Sequence, residues 1–142
     1  MTNPNRLARP LTLAGCAVLV ISAVLHVFGG IKVGFPALAA SNLSPAVQSA
    51  FQVVFVSLGW HWIMTAVVTA LASAVQTRLR NAIVLFCGAA VLLEALAGAW
   101  AMGWFIGNEM IGAAAILLLC GGLLFRSATP VLARVPQTAQ RS

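Results

Sequence analysis

Four long apolar runs, separated by short polar breaks, leave this chain few ways to fold. They extend from Leu11 to Gly30, Ser44 to Val75, Ala82 to Gly103 and Met110 to Phe125. A helix needs about 20 residues to cross the hydrocarbon core of a bilayer. The spacing therefore predicts an all-α, transmembrane four-helix bundle over residues 11–126, with polar tails at 1–10 and 127–142. The chain has 142 residues, 61% of them hydrophobic and 7% charged. A soluble domain carries about 25% charged residues, so that class is excluded.

The net charge is +6, which would suit nucleic acid if the cations were clustered on a helix or interleaved with aromatics. They are not. Arg6, Arg9, Arg78, Arg80, Arg126, Arg134 and Arg141 stand at the edges of the runs, where arginines set topology and touch anionic headgroups. In a four-span arrangement all seven fall on one side and Lys32 on the other. The positive-inside rule then predicts a bacterial inner-membrane protein with both termini in the cytoplasm. The expected surroundings are lipid, a partner membrane subunit or a small apolar ligand, with no nucleic acid.

The opening run is longer than the 7–15 apolar residues of a signal core, so it reads as a retained first span despite the cleavage-like Ala37-Leu38-Ala39. Gly29-Gly30, Gly34 and Pro36 predict a break after it and an apolar external segment over 31–43, where Lys32 can snorkel to headgroups. Ser44-Pro45 is a hydroxyl cap followed by a first-turn proline, a good helix start. A helix from there to Val75 exceeds one bilayer crossing, which predicts projecting first turns with Gln48, Ser49 and Gln52 in water. Residues 76–81 form a basic turn, and Trp104–Glu109 forms a short one around Gly107-Asn108. The last run is short for a span and is expected to recruit flanking residues. Cys16, Cys87 and Cys120 all lie within apolar runs and form no CxxC pair, so they read as packing thiols.

An ionisable side chain within a span is costly and usually faces the protein interior or a wet cavity. This chain has three: His26, His61 and Glu94. His61 sits in Ser57-Leu58-Gly59-Trp60-His61-Trp62-Ile63-Met64-Thr65. Ser57, His61, Thr65, Thr69 and Ser73 recur every fourth residue and form a polar ridge; such hydroxyls also serve simply as small packing residues. Glu94 shares a face with Ala90, Ala97, Gly98 and Ala101, and His26 shares one with Ser22 and Gly30. Counting about 1.5 Å per residue, His61 and Glu94 lie nearly level, with His26 one to two turns nearer the outer surface. An imidazole–carboxylate contact between spans two and three is therefore expected. Consecutive helix residues point about 100° apart, so only one of Trp60 and Trp62 can line a crevice while the other faces lipid. Trp100 and Trp104, four apart, suit an interface belt on the opposite side of span three.

This constellation has several readings. It is a polar bridge fixing helix register, or a ligand site with His61 and Glu94 as floor, His26 at the mouth, and Trp60, Ser57 and Thr65 as lining. Two histidines also raise a heme- or quinone-linked electron carrier, although their unequal depth is unfavourable for axial ligation. His26, His61 and Glu94 are plausible metal-ligand types without a metal motif. A His61/Glu94 acid–base pair acting on an apolar substrate is the enzymatic reading. No HExxH, phosphate loop or nucleophile elbow is present.

The first span ends in Leu25-His26-Val27-Phe28-Gly29-Gly30, and an apolar external segment and a second span follow. With this layout, residues 7–125 resemble the small four-span bacterial membrane proteins of the DoxX-like type. The resemblance implies an accessory membrane subunit near redox or thiol chemistry.

Overall fold

The computed structural model describes residues 5–77 and 79–126. Its elements are α1 (Asn5–Gly29), a π-helical turn (Gly30–Gly34), α2 (Phe35–Ala39), α3 (Pro45–Ala74), α4 (Arg80–Met102) and α5 (Ile106–Arg126). Four helical stretches are long and apolar enough to cross a membrane: Arg6–Ala39, Pro45–Ala74, Arg80–Met102 and Ile106–Phe125. The chain is a multi-pass membrane protein built as an all-α four-helix bundle.

Ala8, Ala72, Val84 and Phe125 form one buried cluster. The starts of α1 and α4 therefore share an end of the bundle with the finishes of α3 and α5, and successive spans are antiparallel. Arg6, Arg9 and Arg80 mark this basic end, and the Arg80 guanidinium lies 4.1 Å from the centre of the Phe125 ring. The π turn, α2 and the α4–α5 turn lie at the opposite, loop end.

Helix α5 packs along α1 on one side and α4 on the other, and α1 packs along α3. The helices thus form a ring in the order α3, α1, α5, α4. The seam that closes it, between α3 and α4, is sparsely packed. Helix α5 is the most enclosed span, with 44% of its apolar window buried against 33%, 28% and 28% for the others.

Small residues explain the three tight sides. Lipid tails are as apolar as leucine, so membrane helices gain by close backbone approach rather than by leaving water. Gly121 of α5 lies against Thr12 Oγ1 and the Ala8 carbonyl of α1, and Gly15 of α1 receives Leu118. Gly88 of α4 receives Leu119, and Gly122 of α5 receives Leu85. Between α1 and α3, Gly30 lies under the Phe55 ring and Gly59 faces Val27 and the Ala23 carbonyl. The main core these contacts enclose includes Leu19, Trp62, Val91, Ala115 and Leu118.

Several local expectations are corrected. Asn5–Pro10 is helical rather than tail, and Ala8 is buried; Pro10, the sixth residue of the helix, lacks the N–H that would bond the Arg6 carbonyl. The Gly29–Pro36 stretch does not break the chain. It widens into the π turn, in which Phe35 N–H donates to the Gly30 carbonyl. Breaking a helix in an apolar phase strands polar backbone groups. A wider turn accommodates Pro36, which lacks a donor and crowds the preceding turn.

Helix α5 starts at Ile106, so the fourth span gains its missing length from residues read as a turn. Asn108 in that first turn is buried, and its Nδ2 donates to the Gly103 carbonyl at 2.9 Å. Gly103, at φ 80°, ends α4, so Trp104 lies beyond the helix rather than one turn above Trp100; both indoles are exposed. The Ser44–Pro45 start is as expected, with Ser44 Oγ accepting from Val47 N–H. Gln48 is half-buried and ties the preceding loop by donating to the Leu43 carbonyl at 3.0 Å. Lys32 stands over the Phe28 ring at 5.8 Å. Arg78, Arg134, Arg141 and the 127–142 tail lie outside the described residues.

Gly121→Val tests the α1–α5 contact. Its Cβ would stand 3.0 Å from the Ala8 carbonyl oxygen, part of a backbone held in a helix. Thermal unfolding in detergent, followed by circular dichroism, is expected to show a loss of about 1–3 kcal/mol, the usual cost of overpacking. Gly29→Ala, which meets nothing within 4 Å, should change stability by less than about 1 kcal/mol, in the stabilising direction.

Candidate functional site

The site is built from two consecutive residues of α3 and one of α4. Glu94 lies about two-thirds of the way along α4, towards the loop end, in the stripe it shares with Ala90, Ala97 and Ala101. Its carboxyl group reaches across the loose seam. Trp62 Nε1–H donates to Glu94 Oε2 at 2.7 Å, and His61 Nε2 lies 3.0 Å from Glu94 Oε1. The indole distance is that of a strong, charge-assisted bond. Side chains about 100° apart on one helix thus grip the two oxygens of one carboxyl group from two sides.

The two donors differ in surroundings. Trp62 is 4% exposed and belongs to the main core. The side chain of His61 is 51% exposed and that of Glu94 31%. The indole bond is therefore enclosed, whereas the imidazole bond opens onto the seam. Indole N–H can only donate, so Glu94 Oε2 is an acceptor. The role of Oε1 follows the His61 tautomer, because each imidazole nitrogen can donate or accept.

His26 occupies a different place. A carbonyl only accepts, so His26 Nε2 carries a proton and donates to the Phe55 carbonyl at 3.1 Å. The His26 ring stacks on the Phe55 ring, with centroids 3.7 Å apart and planes at 13°. It also packs on Trp62, with centroids 4.9 Å apart. Phe35 adds an edge contact to Phe55 at 5.7 Å. A ladder of rings, Phe35–Phe55–His26–Trp62, therefore runs from the loop end into the core and stops at Glu94. Gly59 makes the approach possible, because a Cβ there would stand 2.7 Å from Val27 Cγ2.

The expected convergence is thus met by His61 and Glu94 and not by His26, which supports the clamp from behind Trp62. The two imidazoles face different helices, His26 toward α3 backbone and His61 toward α4. Axial ligation of one heme through both Nε2 atoms would require each to leave its present partner. Among the described residues, no three His, Cys, Asp or Glu side chains gather as a metal-ligand set. Trp60 is 62% exposed, whereas Trp62 is buried and bonds the carboxyl group, so of the two indoles flanking His61 it is Trp62 that enters the site. Ser57 is exposed and Thr65 half-buried. Further along the ridge, Thr69 and Ser73 are buried and bond carbonyls of their own helix, Thr65 O and Ala70 O. That part of the ridge packs; only His61 carries the ridge to a neighbouring helix.

Sequence reasoning passed over Trp62 and Phe55 as contributors. The Trp62 signal was present in its position beside His61. Phe55 contributes a backbone carbonyl and a ring face, for which no residue pattern exists. No protein-family model, curated protein or solved structure matches the chain.

Replacing Trp62 separates its bond from its bulk. Trp62→Phe keeps an aromatic ring against His26 and removes the donor to Glu94. The loss expected in detergent unfolding is about 0.6–2 kcal/mol, the range for hydrogen bonds between membrane helices. Trp60→Phe should stay within about 0.5 kcal/mol of wild type, as exposed substitutions usually do.

Proposed function

We propose that this protein holds a small apolar ligand at the α3–α4 seam, with His61 and Glu94 as the polar anchor. One observation carries the reading. An imidazole and a carboxyl group meet at 3.0 Å on the one loosely packed side of the bundle, and both remain partly exposed there. Polar groups at membrane depth ordinarily turn inward and find partners. A pair left half-open within a span suits a polar group arriving from outside the chain.

The α4 side of the seam offers an apolar surface to a tail. Ala97 and Ala101 are exposed on the Glu94 face of α4, and Ala90 is half-buried. These short side chains add little bulk beside the anchor. His26 and Trp62 hold the anchor in place from the core side. An accessory role close to redox metabolism, alongside a partner membrane subunit, is the part of the proposal that rests on the DoxX-like layout. Placement in a bacterial inner membrane with cytoplasmic termini rests on Arg6, Arg9 and Arg80 sharing one end of the bundle.

A second reading rests on the same distance. A His–carboxylate pair can move a proton, and with an apolar substrate at the seam His61 and Glu94 would serve as acid and base. Lipid profiles of a deletion strain and of strains carrying His61→Ala or Glu94→Gln separate the readings. Catalysis requires the same product to vanish in all three.

For the binding reading, the decisive measurement is mass spectrometry of small molecules extracted from purified protein. Wild type is expected to carry an amphiphile that falls about ten-fold in His61→Ala and Glu94→Gln, a loss equivalent to about 1.4 kcal/mol. Both variants must keep the helical circular-dichroism spectrum. Identical extracts from the three folded proteins would remove the binding reading.

A further inference from the structure

Resting on the seam reading above, we infer that the ligand's polar end is an uncharged hydroxyl group, alcoholic or phenolic, on an apolar tail. The hydroxyl bonds His61 Nδ1.

The chemistry follows from which atoms remain free. Glu94 Oε2 is taken by the enclosed Trp62 indole and Oε1 by His61 Nε2. When His61 donates from Nε2, its Nδ1 is a bare acceptor. The His61 side chain is half exposed at the seam. The natural complement to an acceptor is a donor, and a hydroxyl supplies one while bringing no charge into the apolar phase. When Nδ1 instead carries the proton, the same hydroxyl accepts from it. A hydroxyl therefore matches His61 in either tautomer.

Charged heads fit less well. An anionic head would lie beside the Glu94 carboxyl group with no lysine or arginine near enough to offset it. Arg80 begins α4, about 21 Å along the helix from Glu94, and Arg6 and Arg9 lie at that same basic end. Lys32 is engaged over Phe28. Arg126, the last residue of α5, belongs to that basic end as well. An ammonium head would compete with His61 for Oε1, break the imidazole contact and bring its charge out of water, which is costly within a span. A ketone or ether head only accepts, so it matches one tautomer of His61 rather than both.

Three probes with one tail and different heads test the assignment: para-decylphenol, decanoate and decylamine. Each is titrated into the full-length protein in detergent. The readout is the ¹⁵N–¹H resonance of the Trp62 indole, assigned by its disappearance in Trp62→Phe. This group touches Glu94 but not the ligand, so a saturable shift reports occupation of the anchor rather than partition into the micelle. The phenol is expected to saturate at about ten-fold lower concentration than either charged probe. The shift should be lost in His61→Ala and partly restored in His61→Gln, whose amide offers both a donor and an acceptor.

If decanoate or decylamine saturates as readily as the phenol, the hydroxyl assignment is overturned while the seam remains a binding site. If the phenol shift persists unchanged in His61→Ala, the assignment to Nδ1 is overturned. If none of the probes gives a saturable shift, the hydroxyl assignment also falls. The extraction experiment then decides separately whether the seam binds anything.

Discussion

A carboxyl group inside a membrane span has to find donors, and in this bundle both come from one turn of one helix. Trp62 and His61 grip the two oxygens of Glu94 across the seam between α3 and α4. Elsewhere that seam is thinly packed, so these bonds supply most of its specific contact. They also fix the rotation of α3, because a turn of 100° would exchange Trp62 for a neighbour that cannot reach. The ring ladder behind Trp62 depends on the same rotation. His26 can stack on Phe55 and donate to its carbonyl only while Gly59 faces α1.

The bundle is held by two kinds of interaction, divided by side. Three of its four seams close through glycines that let backbones approach, the mechanism available when lipid and leucine are equally apolar. The fourth closes through hydrogen bonds and has no glycine contact of that kind. A glycine seam brings two backbones together. A seam joined through the ends of long polar side chains does not require that approach. The sparse packing at α3–α4 is thus a consequence of how that side is joined.

Much of this was legible in the sequence. The spans follow from apolar length, and their ends from Ser44-Pro45 and the arginines, so the levels of His61 and Glu94 follow from residue counts alone. What could not be read is rotation. The fourfold ridge puts Ser57, His61 and Thr65 together, yet whether the ridge or the residue beside it turns inward is set by packing between helices. Trp62 rather than Trp60 is therefore a tertiary outcome. The partner of His26 was hidden for another reason: a backbone carbonyl as acceptor leaves no trace in residue type. The glycines at 29, 30 and 34 misled because turn rules describe chains in water. In an apolar phase nothing else satisfies freed backbone groups, so the helix widens instead of stopping.

The clamp also divides labour between its two donors. Trp62 has a single fixed donor and is enclosed, so its bond to Glu94 cannot change sign or take part in exchange. His61 has two nitrogens whose roles can be swapped, and it alone of the pair is open to the seam. Of the two donors to Glu94, His61 is thus the one whose hydrogen bonding can change at the seam. Were the indole the exposed partner and the imidazole the buried one, the carboxyl group would be held as firmly and the seam would present only a donor. The order of two adjacent residues, His61 before Trp62, therefore decides that the exposed partner of the carboxyl group is the one with two adaptable nitrogens.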